Sequence, residues 1–551
     1  MFLSSIINGP MKKIFTLLCL VVIANSFAQQ DAWVYFTDKP NVAASIANPI
    51  SILTQKAIDR KQNHNVAIDE RDVPVNETYI SDIKAQTGIT ALAKSKWFNA
   101  VHVRGTEEAI NALSSLTFVE RIDFADHNLN SASRSYTSLN KTEIEEETIA
   151  FTYGDTQNQV EMINVDNLHL ADFTGEGITI AVMDSGFPNA NTMGAFQRLR
   201  DNNDLLDGYD FVDRTSEIYA FTGSNHGTKV LSTMAGFIQD QFVGTAPDAS
   251  YYLFRTEDSG SENPVEESYW VEAAERADSL GVDMINTSLG YRMFDNPNYN
   301  YTPADMNGQV TFIAKGAAIA VEKGILVVVS AGNSGATDWQ TVGSPGDSPA
   351  VLSIGAVDEN GDYVAFSSQG GAAQIGYQKP DVVARGGAAY VINEFNSIVQ
   401  NNGTSFSGPI LCGGIASLWQ AIPDASPTEI MDYVRQSASQ FNAPDDFLGY
   451  GIPDLDLALS NALSIDKSQI ENFSFYPNPV ETRLNIKIPS TVNQLEVSIY
   501  NQLGQEVLNQ WITKDLSFVN VSDLASGIYF IKLATTNNSK TVKFIKGQSH
   551  N

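Results

Sequence analysis

An α/β domain built on a parallel sheet with helices on both faces, preceded by a small α+β unit and followed by a β-sandwich, is the fold class this sequence predicts. Three observations carry it. From about Tyr153 to Leu463, continuous apolar runs such as ITIAVM and ILVVVS alternate with helical stretches such as VEESYWVEAAERADSL and FIAKGAAIAVEKG. Strands that are apolar throughout are buried on both faces, and helices between them indicate a parallel sheet. After Ile465 the apolar residues switch to period two in RLNIKIP and LEVSIY, with GIYFIKL and TVKFIK near the end, the pattern of antiparallel strands with one buried face. Finally, 551 residues exceed what one core supports, so two to four domains are expected.

In chain order, the first element is a secretory signal over residues 1–28. Lys12 and Lys13 precede an apolar run from Ile14 to Ala24, and Ser26-Phe27-Ala28 supplies the small-x-small form of a cleavage site. The run is too short to span a membrane, and Met11 is the better start because it puts the lysines at the terminus. Cleavage after Ala28 removes Cys19. Cys412 is then the one cysteine left, so no internal disulfide forms and stability must come from packing or bound ions.

Residues 29–150 read as a compact α+β unit plus linker. AWVYFTD, NAVHVRG and VERIDFAD are strands, while ISILTQKAIDRKQ and EEAINALSSL are the two helices expected to cover them. The polar stretch NLNSASRSYTSLNKTEIEEET then reads as an exposed linker open to nicking. Residues 151–465 form the α/β domain. Residues 466–551 form the β-sandwich, with turns expected at Gln502-Leu503-Gly504 and Asn537-Asn538.

Composition narrows the function. With 43% hydrophobic and 18% charged residues the chain is globular. A formal net charge of -30 argues against nucleic acid or an anionic membrane as partner.

Functional groups of open parallel sheets gather at the carboxyl ends of the strands. ITIAVMDSG ends there with Asp184, GVDMINTSLG with Ser288-Leu289-Gly290, and ILVVVSAGNSG with Asn333. SNHGTKV places His226 at the start of an apolar helix, and GTSFSGP places Ser405 near the start of a glycine-punctuated helix with Pro409 in its first turn. Singly, each has a plain structural reading: an Asp at a strand end caps or turns, a Ser at a helix start caps, and a lone His is a structural residue. Together they supply one chemistry. A serine hydroxyl needs an imidazole to accept its proton, and the imidazole needs a carboxylate to hold its tautomer. The developing oxyanion needs a fixed donor, which an Asn amide beside the nucleophile's own N–H provides. Asp184, His226, Asn333 and Ser405 match those four roles.

AVMDSG, NHGTKV, AGNSG and GTSFSGP resemble the four signature segments of the subtilisin-like serine proteases, the subtilases. SPAVLSIGAVDENGDYVAFSSQG, KPDVVARGG and GYGIPDLDLAL resemble further segments of that family, so the likeness covers about residues 153–463. It implies a subtilisin-like fold and a serine endopeptidase with a triad of Asp184, His226 and Ser405 and an oxyanion donor in Asn333. Ser288, Leu289 and Gly290 would then pair with substrate backbone as an added strand. Three positions depart from the family pattern: Phe406 stands where Met is usual, Ser407 where Ala is usual, and Arg385 replaces a proline.

By position and element order, residues 29–150 resemble the family's inhibitory propeptides, so the chain is expected to be a zymogen processed near Glu145 to Tyr153. FSFYPNPV, NQLGQEV, ASGIYFIKL and TVKFIK resemble the type IX secretion sorting domain. A generic binding sandwich would show the same period-two pattern. The resemblance implies export through the periplasm and across the outer membrane to the medium or the cell surface. The expected partners are a protein or peptide substrate, the chain's own propeptide and the type IX secretion machinery. No cofactor is needed for the chemistry. DNNDLLDGYDF concentrates Asp201, Asp204, Asp207 and Asp210 in what reads as a loop; solvated turn acids are the reading, with a structural calcium as the alternative.

Two rival functions are weaker. A catalytically dead adhesin has no chemical reason to keep all four groups. An α/β-hydrolase esterase would place Ser before Asp and His in G-x-S-x-G, whereas Ser405 comes last and lacks the second glycine.

Overall fold

The computed structural model describes residues 29–129, 151–370, 376–463 and, with short interruptions, 474–547. The secretory signal, most of the linker and the two turns expected in the β-sandwich lie outside the described residues. The chain divides into two compact units, one ending at Asn461 and the other beginning at Ala462.

The first unit begins with a four-stranded antiparallel sheet. Its strands are β1 (Gln29–Phe36), β2 (Ile89–Ser95), β3 (Ala100–Thr106) and β4 (Val119–Phe124), in the order β2-β3-β1-β4. Helices α1 (Gln55–Asn63), α2 (Glu77–Lys84) and α3 (Glu107–Ala112) lie between strands. Val34, Phe36, Val101 and Val103 pack with Ile80, Ile83 and Ile110, so α2 and α3 close the core. The sequence had put α1 in that place. QKAIDRKQN carries only Ala57 and Ile58 as apolar residues, too few to cover a sheet, and α1 turns instead toward the following domain. There Arg60, Lys61 and Lys96 converge on the buried carboxylate of Asp278, at 2.5, 2.7 and 3.5 Å.

The α/β region is built on seven parallel strands. They are β5 (Thr179–Asp184), β6 (Leu205–Asp210), β7 (Ser250–Arg255), β8 (Met284–Thr287), β9 (Leu326–Ser330), β10 (Leu352–Val357) and β11 (Val382–Arg385), in the order β11-β10-β9-β8-β5-β7-β6. Every residue of β5, β8, β9, β10 and β11 is buried, as continuous apolar runs require. Two helix pairs flank the sheet: α4 (His226–Ala235) packs with α7 (Thr404–Ala421), and α5 (Val265–Leu280) with α6 (Phe312–Glu322). Because β9, β8 and β5 are parallel neighbours, the segments that follow them emerge side by side at one edge.

The expected acidic loop proves to be largely strand β6. Its carboxylates take separate partners: Asp201 accepts from Gln197, Asp204 from Ser250 and Asp207 from the Gly208 N–H, while Asp210 pairs with Arg255 at 2.7 Å. Among the described residues no three His, Cys, Asp or Glu side chains are gathered to hold a metal ion.

The second unit has a three-stranded antiparallel sheet, Ser474–Tyr476, Arg483–Lys487 and Phe518–Asn520. A four-stranded one is formed by Gln494–Tyr500, Glu506–Thr513, Gly527–Ala534 and Ser539–Lys546. Leu484 and Val519 of the first share one core with Val497, Ile531 and Phe544 of the second, the two-layer packing that period-two strands imply.

Candidate active site

Asp184 is the last residue of β5 and is fully buried. Its Oδ1 accepts the Ser185 N–H at 2.7 Å, and its carboxylate faces His226 Nδ1 at 2.8 and 3.0 Å. His226 opens α4, where the close approach of the helix to the turn after β5 demands a glycine: a Cβ on Gly227 would lie 2.6 Å from the Gly186 carbonyl and from the Phe187 ring. Burial disfavours the imidazolium, but the charge and hydrogen bond of Asp184 outweigh it, so the His226 pKa is raised above the ordinary imidazole value.

Ser405 lies second in α7 and is 9% exposed. Gly403 precedes the helix with φ 152°, a conformation other residues adopt only under strain. Pro409 is the sixth residue of the helix, not a first-turn residue as the sequence suggested. It therefore removes an intrahelical bond, the one its N–H would have made to the Ser405 carbonyl. That carbonyl instead accepts the Ser288 hydroxyl at 3.0 Å, and the Ser405 hydroxyl donates to the Ser288 carbonyl at 3.4 Å. One turn position earlier, the Thr404 carbonyl accepts the Ser330 hydroxyl at 2.7 Å. The nucleophile candidate is thus held by Ser288, which follows β8, and by Ser330, which ends β9. Ser405 Oγ makes no hydrogen bond to His226, and such bonds in unliganded sites commonly tighten only around substrate.

Asn333 follows β9. Its Oδ1 accepts from the Thr404 N–H at 2.9 Å and from the Thr404 hydroxyl at 3.0 Å. A backbone N–H can only donate, so this orientation of the amide is fixed and its Nδ2 donor is left without a hydrogen-bond partner. Asn333 and Ser405 line one cavity of about 220 Å³, together with Ser288, Leu289 and Gly290. A second cavity of about 580 Å³ takes in His226 and shares Ser288 and Leu289 with the first. All seven sequence-derived residues therefore border two cavities or, for Asp184, stand directly behind His226.

The departures are accommodated. The Phe406 ring lies 5.9 Å from the His226 ring, Ser407 bonds the Thr404 carbonyl at 3.2 Å, and buried Arg385 donates to Asn158 at 2.7 Å. Sequence reasoning missed Ser330 and Thr404, which fix the nucleophile's turn and the Asn333 amide. No local signal separates them from other hydroxyls at strand ends and helix starts. It also missed the carboxyl groups of Glu257, Asp258, Glu262 and Asp295 around the second cavity.

Comparison with known proteins identifies the domains. Residues 175–451 match the family described as "Subtilase family", residues 31–142 the "Peptidase S8 propeptide domain, Bacteroidota", and residues 474–547 the "Secretion system C-terminal sorting domain". The chain is similar to subtilisin DY of Bacillus licheniformis, 28% identical over 302 residues that cover 54% of this chain and 97% of that protein. It is similar also to subtilisin E of Bacillus subtilis, 29% identical over 303 residues, covering 54% and 70%. Among solved structures, MycP1 from Mycobacterium smegmatis aligns with a TM-score of 0.44 at 23% identity, covering 58% of this chain and 88% of that one. The sorting domain indicates export by type IX secretion, and no described helix is long and apolar enough to cross a membrane. With a propeptide domain before it and a sorting domain after it, the central domain makes this chain a member of the subtilase family of serine endopeptidases.

Proposed function

We propose that the protein is a zymogen whose processed form hydrolyses peptide bonds in proteins through Asp184, His226 and Ser405, with Asn333 as oxyanion donor. The observation that carries this reading is the paired Asp184 and His226 beside a serine fixed at a helix start. In the mechanism, the Ser405 hydroxyl attacks the scissile carbonyl while His226 Nε2 takes its proton; the carbon becomes tetrahedral and its oxygen anionic. Asp184 holds the Nδ1–H tautomer and stabilises the imidazolium. The free Nδ2 donor of Asn333 and the Ser405 N–H at the positive end of α7 meet the oxyanion. The imidazolium then returns its proton to the leaving amine, and water, activated by the same imidazole, releases the acyl group. The strand edge at Ser288, Leu289 and Gly290 holds the substrate backbone beside Ser405.

Residues 29–129 act as the chain's own inhibitor, and residues 474–547 are read by the type IX machinery, which delivers the enzyme through the periplasm and across the outer membrane to the medium or the cell surface. No cofactor enters the chemistry.

The test is hydrolysis of a denatured protein and a peptide library by the processed enzyme, beside Ser405→Ala prepared identically. Wild type should cut both, and the variant should lose at least about 10⁴-fold in kcat. Equal hydrolysis by the two would remove Ser405 from the reaction.

A further inference from the structure

The larger of the two cavities is chemically distinct from the smaller. About 580 Å³ in volume, it is bounded by His226 and by Ser288 and Leu289, and the carboxyl groups of Glu257, Asp258, Glu262 and Asp295 line it with no lysine or arginine among the lining residues. None of the four makes an ion pair. Asp258 accepts from the Gly260 N–H and the Ser261 hydroxyl, and Asp295 from the Glu262 N–H, all neutral donors. Glu257 is only 9% exposed, and one of its oxygens takes the buried Tyr291 hydroxyl. No hydrogen bond reaches its other oxygen, and the residue lines the cavity. A carboxylate so placed costs free energy unless a cation or donor reaches it.

What would satisfy these groups is a distributed, elongated cation. The four carboxyls do not gather around one point as a metal site requires, no such cluster occurring among the described residues. They line the same cavity as His226 and the Ser288–Leu289 edge. A peptide laid along that edge in extended form points alternate side chains to opposite sides. One side chain then meets the small cavity beside Ser405 and Asn333, while a neighbour meets the acidic wall.

We propose that this trough selects substrates by charge, receiving a lysine or arginine side chain that lies close to the scissile bond. The inference rests on the protease reading above and adds the substrate class. The mismatch in charge supports it: burial and the neighbouring Asp295 push the Glu262 carboxyl up to about 7, with Arg292 opposing, and burial likewise raises Glu257, with Glu266, Glu262 and Asp184 adding to it. A cation in the trough would relieve that repulsion, and an acidic side chain would worsen it.

The experiment uses the processed enzyme and a peptide series that differs only in carrying Lys, Gln or Glu at each position near the cut. At one such position, kcat/KM for Lys should exceed that for Glu by about tenfold or more. Glu262→Gln combined with Asp295→Asn should narrow that ratio several-fold, and Glu262→Lys should erase or invert it. A second measurement needs no variant. As pH is lowered from about 8 to about 6, Glu262 gains its proton and the Lys/Glu ratio should fall, whereas protonation of His226 slows both peptides alike and cancels. Cleavage with no charge preference at any position, or a preference untouched by the substitutions and by pH, overturns the inference and leaves the protease reading standing. Cleavage of no peptide at all overturns both.

Discussion

At Ser405 a single missing N–H organises the neighbourhood. Pro409 has none to give the Ser405 carbonyl, and Ser288 supplies the replacement from the end of β8. Ser288→Ala should therefore leave a buried carbonyl unsatisfied and lower stability by about 1–3 kcal/mol in thermal or urea unfolding. The backbone carbonyl that receives the Ser405 hydroxyl is kept in that variant, so a fall in kcat would report the loosened helix start alone. Asn333→Ala should cost about 10²–10³ in kcat with little change in KM, because its free donor serves the transition state alone. For His226 the sign is fixed by its partner. The base must be neutral to take the serine proton, and Asp184 raises its pKa. The acid limb of kcat/KM should then have its midpoint above about 6.5. An acid limb below that value would show that Asp184 does not stabilise the imidazolium. The four catalytic candidates were legible in the sequence because each sits in a short motif of constrained chemistry. Pro409 was placed in the wrong turn because the start of α7 is set by the backbone of Gly403 and by the Thr404 contacts to Asn333, which no local pattern displays.

Among the elements, α5 shows how far burial can depart from composition. VEESYWVEAAERADSL reads as a helical stretch with acidic residues throughout, yet Glu267, Glu275 and Asp278 are all buried. Asp278 is met by Arg60, Lys61 and Lys96 from the propeptide domain, and Glu275 accepts the Lys96 and Trp97 N–H groups at 2.8 and 2.9 Å. Burial works against the Asp278 carboxylate, but the three cations together hold it below the usual carboxylate range. Removing one side of a buried charge cluster leaves the rest uncompensated. Asp278→Ala should therefore destabilise the unprocessed chain by about 3–5 kcal/mol while changing the processed enzyme far less. Comparing the melting of the two forms checks this, and equal losses in both would place the role of Asp278 inside the catalytic domain alone. The same interface explains why α1 escaped correct placement: its partner Asp278 is more than two hundred residues away in sequence. Strand β2 was missed for a different reason. ITALAKS alternates weakly and holds small residues, so its pairing with β3 decides its conformation.

On the scale of the whole molecule, the parallel sheet was the most legible feature. Strands buried on both faces must be apolar throughout, so β5 and β9 announce themselves, and connecting helices follow from the parallel topology. The C-terminal unit has a core of its own, formed by Val480, Leu484, Val497, Ile531, Phe544 and their neighbours. Deleting residues 474–551 should therefore leave peptide hydrolysis by the remaining chain intact once it is processed, while its appearance outside the cell is lost. Fractionating cells that express the full and shortened chains measures both. The central claim, a triad acting through Ser405, is tested most directly by treating the processed protein with a fluorophosphonate and mapping the adduct by mass spectrometry. The triad predicts one adduct, on Ser405, formed faster as pH rises past the His226 pKa and absent in His226→Ala. An active enzyme that forms no adduct, or carries it on another residue, would contradict it.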